Sequence, residues 1–315
     1  MNEIIKAVFF LIAGFILLIK GADFFVDGSS SVAKRFRIPS MIIGLTIVAM
    51  GTSLPECAVS ITASISNNNT LAVSNAVGSN IFNLMVVCGA CALFAPLSVN
   101  IKTLKKEFPF SVACALILLV MGYIGTALGR IDGIILIAIF SAYLIWMIMS
   151  AKKARQNSLD NDEDYEILPI WKCLLFIIGG AAAIKFGGDF VVDGATVVAK
   201  SLGLSQTLIG LTVVALGTSL PELVTSIVAA RKNEVDMAVG NVIGSNIFNI
   251  LLVLGIASAI SPIAFITENM IDIIILIVFS ILVWLFAWTK KEIRRTEGII
   301  MLLAYLGFMI YICLR

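Results

Sequence analysis

Two glutamates, Glu56 and Glu222, fall near the centres of apolar stretches long enough to cross a bilayer. An ionised carboxylate at that depth costs roughly 2.5–3.5 kcal/mol or more, so such a group faces the protein interior and marks a functional pathway. Both close the same hexapeptide, GTSLPE. Pro55 and Pro221 lack the N–H that would reach the carbonyls of Gly51 and Gly217, four residues earlier. The helix is expected to kink or unwind there, turning the carbonyls around Thr52 and Thr218 toward an ion. Irregular backbone at this depth is tolerated only beside a cavity or buried protein. Thr52 and Ser53 lie four and three residues before Glu56, and Thr218 and Ser219 stand likewise to Glu222, so each set shares a helix face.

More oxygen follows each glutamate. Asn75, Ser79 and Asn83 fall at i, i+4 and i+8, and Asn241, Ser245 and Asn249 repeat the pattern. Gly78 and Gly244 are small enough to let helices approach closely. Singly, such Ser, Thr and Asn residues are read as interhelical hydrogen bonders. Clustered around paired carboxylates, they form a donor set of carboxylate, amide, hydroxyl and main-chain oxygen. Hard cations such as Ca²⁺ and Na⁺ take ligands of this kind, and two carboxylates balance one divalent cation. Sulfur and imidazole do not enter. There is no histidine, and the six cysteines lie in apolar stretches, where they read as small core residues.

The elements that hold these residues follow from composition. Of 315 residues, 60% are hydrophobic and 13% charged, and the mean hydropathy is +1.05. This excludes an ordinary soluble enzyme, a secreted disulfide scaffold and a disordered chain. The net charge of +2, from 22 basic and 20 acidic residues, implies no nucleic-acid partner. A spanning helix needs about 20 mostly apolar residues. Windows of that size fall at 4–26, 38–65, 71–95, 108–128, 132–151, 170–192, 204–230, 236–260, 269–289 and 296–313. The run beginning at Ile4 is too long for a cleaved signal. Sixteen Lys and Arg residues fall in the loops on one side of this ten-span layout and four on the other. That bias places both termini outside and the 152–169 linker in the cytoplasm.

A shift of 166 residues lays 21–96 over 187–262 without a gap, with 37 of 76 positions identical. The matching runs are polar as well as apolar: GADFFVDG and GGDFVVDG, IGLTIVAMGTSLPE and IGLTVVALGTSLPE, AVSNAVGSNIFN and AVGNVIGSNIFN. A repeat of five helices must cross the membrane upside down in its second copy, the architecture of secondary transporters with a midplane site. The expected fold is therefore an all-α polytopic membrane protein. Its ten transmembrane helices form two inverted five-helix repeats, 1–151 and 170–315, joined by 152–169.

GLTIVAMGTSLPE with NAVGSNIFN, repeated as GLTVVALGTSLPE with GNVIGSNIFN, resembles the two alpha-repeats of the sodium/calcium exchangers of the cation/calcium antiporter superfamily. The resemblance covers both repeats and most of the chain. It implies a plasma-membrane antiporter that exchanges Na⁺ for Ca²⁺ by alternating access, without a cofactor and as a monomer. It implies Ca²⁺ ligation by Glu56 and Glu222 with the main-chain carbonyls of Thr52 and Thr218. Na⁺ would be held around Ala49, Ser53 and Ser79, and around Ala215, Ser219 and Ser245, with Asn83 and Asn249 lining the centre. Helices 4–26 and 170–192 would slide across a rigid core as a gate. Several relatives, including potassium-dependent exchangers, carry Asp where this chain has Asn249, so no K⁺ requirement is expected. A proton/calcium antiporter and, more distantly, a cation channel are the alternative readings.

Asp23, Asp27, Asp189 and Asp193 are repeat-matched acids expected at the ends of the first and sixth helices, as a cation entrance or paired with Lys20 and Lys185. Asp160, Asp162, Glu163, Asp164 and Glu166 read as a solvated acidic linker, without the glycine and spacing of an EF-hand loop.

Overall fold

Apolar runs of this length must satisfy their backbone internally, and the described runs do so as helix. The computed structural model describes residues 2–66, 69–157, 168–203 and 215–314. The acidic stretch of the linker and the first half of the 204–230 window lie outside them. Among the described residues, eight helices are long and apolar enough to cross a membrane. Ser40–Thr52 and Leu54–Ile65, bent by 49° at their junction, add a ninth if they form one span. The molecule is a helical, polytopic integral membrane protein.

The first helix, Asn2–Arg35, and its counterpart, Ile170–Ser201, run well past the windows 4–26 and 170–192. The apolar window ends where small and polar residues begin, but these stay helical because they pack inward: Ser29, Ser30 and Ser31 are buried. Asp23, Asp27, Asp189 and Asp193 consequently sit within helices, not at their ends. The two helices lie antiparallel along a glycine seam. A Cβ on Gly14 would stand 2.8 Å from the Gly187 carbonyl oxygen, and one on Gly187 would stand 2.8 Å from that of Gly14. Only glycine allows such an approach.

The bent segment has its cause in sequence. Helix Ser40–Thr52, which contains a π-helical turn at Gly44–Val48, stops before Ser53, and Pro55 opens the next helix, Leu54–Ile65. In the second half Ala215–Thr218 stops before Ser219, and Pro221 opens Leu220–Arg231. Proline fits the first turn of a helix, where its missing N–H has no partner to lose.

Two helical runs form the centre. Asn69–Phe82 continues through a π-helical turn, Asn83–Val87, into Cys88–Phe94. Val235–Phe248 continues through Asn249–Val253 into Leu254–Ile260, and every residue from Met237 to Phe248 is buried. Gly244 allows the close approach expected of it: a Cβ there would lie 2.7 Å from Leu45 O. At Gly78 no described residue stands within 4 Å of a Cβ. The residue matching Leu45 is 211, outside the described residues.

The remaining long helices, Glu107–Gly125, Arg130–Asn157, Thr267–Lys290 and Arg295–Leu314, form the flanks. They carry many of the exposed apolar side chains, such as Ile124, Ile148, Val278 and Leu306, as a lipid-facing surface requires. Helix Arg130–Asn157 carries six residues into the segment read as linker. Two short antiparallel pairings join the halves: β1 (Leu97–Ser98) with β4 (Glu292–Ile293), and β2 (Ala127–Leu128) with β3 (Ile263–Ala264).

Candidate functional site

The two breaks bring the glutamates together at the centre of the protein. Across the first break the backbone bonds are Ser53 N–H to Ala49 O and Cys57 N–H to Ser53 O, both 3.1 Å, and neither uses the carbonyls of Gly51 or Thr52. The second break has Ser219 N–H to Leu216 O and Leu223 N–H to Ser219 O, both 3.2 Å. Leu54–Ile65 and Leu220–Arg231 then begin at the break, so Glu56 and Glu222 lie in their first turns. The partial positive charge of a helix N-terminus favours carboxylates there.

Glu56 and Glu222 are both fully buried, and each is held by the other half's serine. Ser53 Oγ donates to Glu222 Oε1 at 2.7 Å, and Ser219 Oγ lies 3.2 Å from Glu56 Oε1 and 3.2 Å from Ser79 Oγ. The asparagines repeat this exchange. Asn83 Nδ2 donates to Asn246 Oδ1 at 3.3 Å, and Asn249 Nδ2 to Asn80 Oδ1 at 3.1 Å. Asn80 Nδ2 donates to Asn246 O at 3.1 Å, and Asn246 Nδ2 to Asn80 O at 3.2 Å. Adding 166 to one half and subtracting it from the other turns each serine–glutamate and asparagine–asparagine bond into its partner; the Ser219–Ser79 contact has no such twin among the described residues.

Among the described residues, five oxygens in this cluster are buried without a hydrogen-bond partner: Glu56 Oε2, Glu222 Oε2, Asn83 Oδ1, Asn249 Oδ1 and Ser245 Oγ. Neither glutamate makes an ion pair with Lys or Arg among the described residues. A neutral buried polar group left unpaired costs about 1–3 kcal/mol, and a charged one more. Such a set of acceptors, two of them carboxylate oxygens, fits a desolvated cation bound by oxygen. Among the described residues no three His, Cys, Asp or Glu gather into a metal-binding group. The donors are therefore two carboxylates supplemented by amide and hydroxyl oxygen.

The other expected residues are placed as follows. Thr52 Oγ1 has two acceptors in reach of its hydrogen, Val48 O at 3.2 Å and Asn241 Oδ1 at 3.1 Å. Ala49 is buried and its carbonyl accepts Ser53 N–H. Ala215 lies in the described helical stretch Ala215–Thr218. Asn75 and Asn241 are taken up by hydrogen bonds to neighbouring helices, and Asn241 Oδ1 stands 3.1 Å from Thr52 Oγ1. Asn75 Nδ2 donates to Glu56 O at 3.2 Å and Ser60 Oγ at 3.0 Å, and Asn241 Nδ2 to Ser226 Oγ at 2.9 Å. Asn80 and Asn246 were missed by the i, i+4 reading of the sequence. Their signal was present in the repeated GSNIFN, one residue past the serine.

Asp23 and Asp27 pair with Lys232, at 3.4 and 2.7 Å, and not with Lys20. Asp189 pairs with Lys185 as expected, whereas Asp193 is exposed. The four acids therefore do not form one entrance; three are taken up by two different lysines.

The sodium/calcium exchanger protein family matches residues 6–149 and again residues 172–314. A putative antiporter, CaxA of Alkalimonas amylolytica, is 39% identical over 96% of this chain and 97% of its own length. The sodium/calcium exchanger MaX1 of Methanosarcina acetivorans is 31% identical over 95% of this chain and 96% of its own. Among solved structures, the sodium-calcium exchanger NCX_Mj, soaked with zero Na⁺ and Ca²⁺, superposes with a TM-score of 0.86 at 33% identity, covering 98% of this chain and 99% of that one. Both halves carry the family's match, and relatives run the full length: the chain belongs to the sodium/calcium exchanger family.

Proposed function

We propose that this protein is an antiporter that moves Ca²⁺ against Na⁺ by alternating access, without a K⁺ requirement. The observation that carries the reading is the pair of fully buried glutamates whose Oε2 atoms have no hydrogen-bond partner among the described residues, beside the bare amide oxygens of Asn83 and Asn249. One Ca²⁺ balances both carboxylates, and Na⁺ ions compete for the same oxygens. An empty site leaves two carboxylates uncompensated in low dielectric, which disfavours switching without cargo and so couples the two fluxes. Ca²⁺ would take Glu56, Glu222 and the carbonyls of Thr52 and Thr218. Na⁺ would take oxygens of Ala49, Ser53 and Ser79, and of Ala215, Ser219 and Ser245. Asn249 is neutral, and without a charge there a further cation gains little, which supports K⁺ independence.

Ten spans in two inverted repeats are the architecture of this reading. The half-exchanging hydrogen bonds and the offset of 166 support it. The 16-to-4 split of basic residues supports external termini and a cytoplasmic 152–169 linker in the plasma membrane. The glycine seam between Asn2–Arg35 and Ile170–Ser201 supports their moving as one gate. The monomer is taken as the working unit, since one chain supplies both halves of the site.

The test is ⁴⁵Ca²⁺ uptake into proteoliposomes loaded with Na⁺ and diluted into Na⁺-free buffer. Uptake should need internal Na⁺, ignore K⁺ and vanish in Glu222→Gln. Uptake driven by a pH gradient without Na⁺ would establish proton coupling instead, and Ca²⁺ current without a counter-ion would establish a channel.

A further inference from the structure

A primary amide presents an acceptor at one end and two donors at the other, in nearly the same shape. A half-turn of Asn83 or Asn249 would therefore replace a coordinating oxygen with an NH₂ group that repels a cation. Both residues are fully buried, and in both the oxygen is the end left bare. Something must set that orientation.

The bonds identify it. Asn249 Nδ2 is held by Asn80 Oδ1 at 3.1 Å, and Asn83 Nδ2 by Asn246 Oδ1 at 3.3 Å. Asn80 and Asn246 are amides too and need their own reference. Each finds it in the opposite main chain: Asn80 Nδ2 donates to Asn246 O at 3.1 Å, and Asn246 Nδ2 to Asn80 O at 3.2 Å. A main-chain carbonyl accepts only and does not flip. It fixes the NH₂ end of Asn80, hence its oxygen, hence the NH₂ end of Asn249, hence the bare oxygen. The second chain of bonds runs through Asn246 to Asn83 in the same way. Both cross between the halves, so each half orients the other's asparagine.

We propose that Asn80 and Asn246 are positioning residues that lock Asn249 and Asn83 with carbonyl oxygen, never NH₂, toward the transported cation. This rests on the exchanger reading above. Partners one step behind a metal ligand typically change affinity 10–100-fold when removed. Asn80→Ala frees the Asn249 amide to turn, and Ca²⁺ binding should weaken by about that factor.

A carboxylate looks the same after a half-turn, which separates orientation from mere support. With Asn249→Asp in place, Asn80→Ala should no longer weaken Ca²⁺ binding, because no polarity is left to fix and Asn80 Oδ1 then only faces another acceptor. The measurement is equilibrium ⁴⁵Ca²⁺ binding to the purified full chain in detergent, with thermal unfolding recorded for each variant. The mirror set, Asn246→Ala with and without Asn83→Asp, gives the same comparison through the other half and serves if Asn80→Ala does not fold. A large loss with the native asparagine that disappears with the aspartate supports the proposal. Equal losses in both backgrounds make Asn80 a strut between the halves and overturn it, as does wild-type affinity in Asn80→Ala. Absence of saturable binding in the wild-type chain would instead overturn the exchanger reading, and this inference with it.

Discussion

The two halves of the chain agree where they meet each other and differ where they meet the first helix. At the centre the bonds that cross to the glutamates and between the asparagines come as exchanged twins: Ser53 to Glu222 with Ser219 to Glu56, Asn83 to Asn246 with Asn249 to Asn80. At the rim this fails. The turn after helix Leu220–Arg231 carries Lys232 and Glu234, and both grip the first helix and its exit. Lys232 Nζ reaches Asp27 at 2.7 Å, Asp23 Oδ1 at 3.4 Å and the Asp23 carbonyl at 3.1 Å. Glu234 accepts from Ser30 Oγ and, at 2.8 Å, from Ser40 Oγ, and lies 3.5 Å from Lys34 Nζ. The residues that match Lys232 and Glu234 in the first half are Ser66 and Asn68, which carry no charge. A site that must hold one cargo from both sides gains from symmetry. Under the proposed alternating access, the holds on the first and sixth helices need not be equal, and an unequal hold would favour one state over the other.

The sharpest test of the symmetric centre uses its carboxylates. Glu56→Gln and Glu222→Gln should each abolish saturable ⁴⁵Ca²⁺ binding, and to the same extent, since each removes half the balancing charge and places an NH₂ group among acceptors. If one variant still binds with near wild-type affinity, the centre is not symmetric in function.

The glycine seam lies between centre and rim, and it should separate movement from binding. In Gly187→Ala the new Cβ meets Gly14 O and Leu18 N at 2.8 Å, whereas in Gly179→Ala, on the same helix, it meets nothing among the described residues within 4 Å. Overpacking costs about 1–3 kcal/mol. If that strain falls on the moving state, uptake in Gly187→Ala should slow about tenfold or more. Ca²⁺ binding should be kept, and Gly179→Ala should behave as wild type. Uptake rates measured beside equilibrium binding decide it: equal slowing in both variants, or loss of binding in Gly187→Ala, would detach the seam from the transport step.

What the sequence revealed of this molecule divides along the same line. The 166-residue offset, the breaks at GTSLPE and the carboxylate pair were legible because they depend on local chemistry: proline, charge and repetition. The length of Asn2–Arg35 was not, because hydropathy marks where lipid would be and not where helix ends, and Ser29, Ser30 and Ser31 are buried by packing. Asn75 was expected on the face of the ion but bonds to Ser60 and Glu56 O. Asn80 was overlooked although it meets Asn246 across the halves. In both cases the partner lies on another helix, and spacing along one helix cannot name it. Lys20 was the nearest base in sequence to Asp23, yet Lys232, more than 200 residues away, is its partner.

That last pairing yields the smallest expected effect and the most direct test of the asymmetric rim. Asn233 takes a left-handed conformation, φ 62°, and turns the chain so that Lys232 and Glu234 flank it. The ion pairs are partly exposed, Lys232 at 31% and Asp27 at 47% of side-chain area, so each is worth at most about 0.2–1 kcal/mol. Lys232→Gln should therefore leave thermal stability and Ca²⁺ affinity nearly unchanged. The first helix, however, loses charged contacts, whereas the positions that would hold the sixth helix in the same way, Ser66 and Asn68, carry no charge. Amide hydrogen exchange around residues 23–35 should rise in Lys232→Gln and again in Glu234→Gln. The matching region of the second half, 189–201, should not respond. Because an exposed pair is screened by salt, the wild type should drift toward the variant as ionic strength increases. Equal exchange in both regions, or no salt dependence, would mean that the first helix is held by its glycine seam alone and that the charged turn does not set the balance between states.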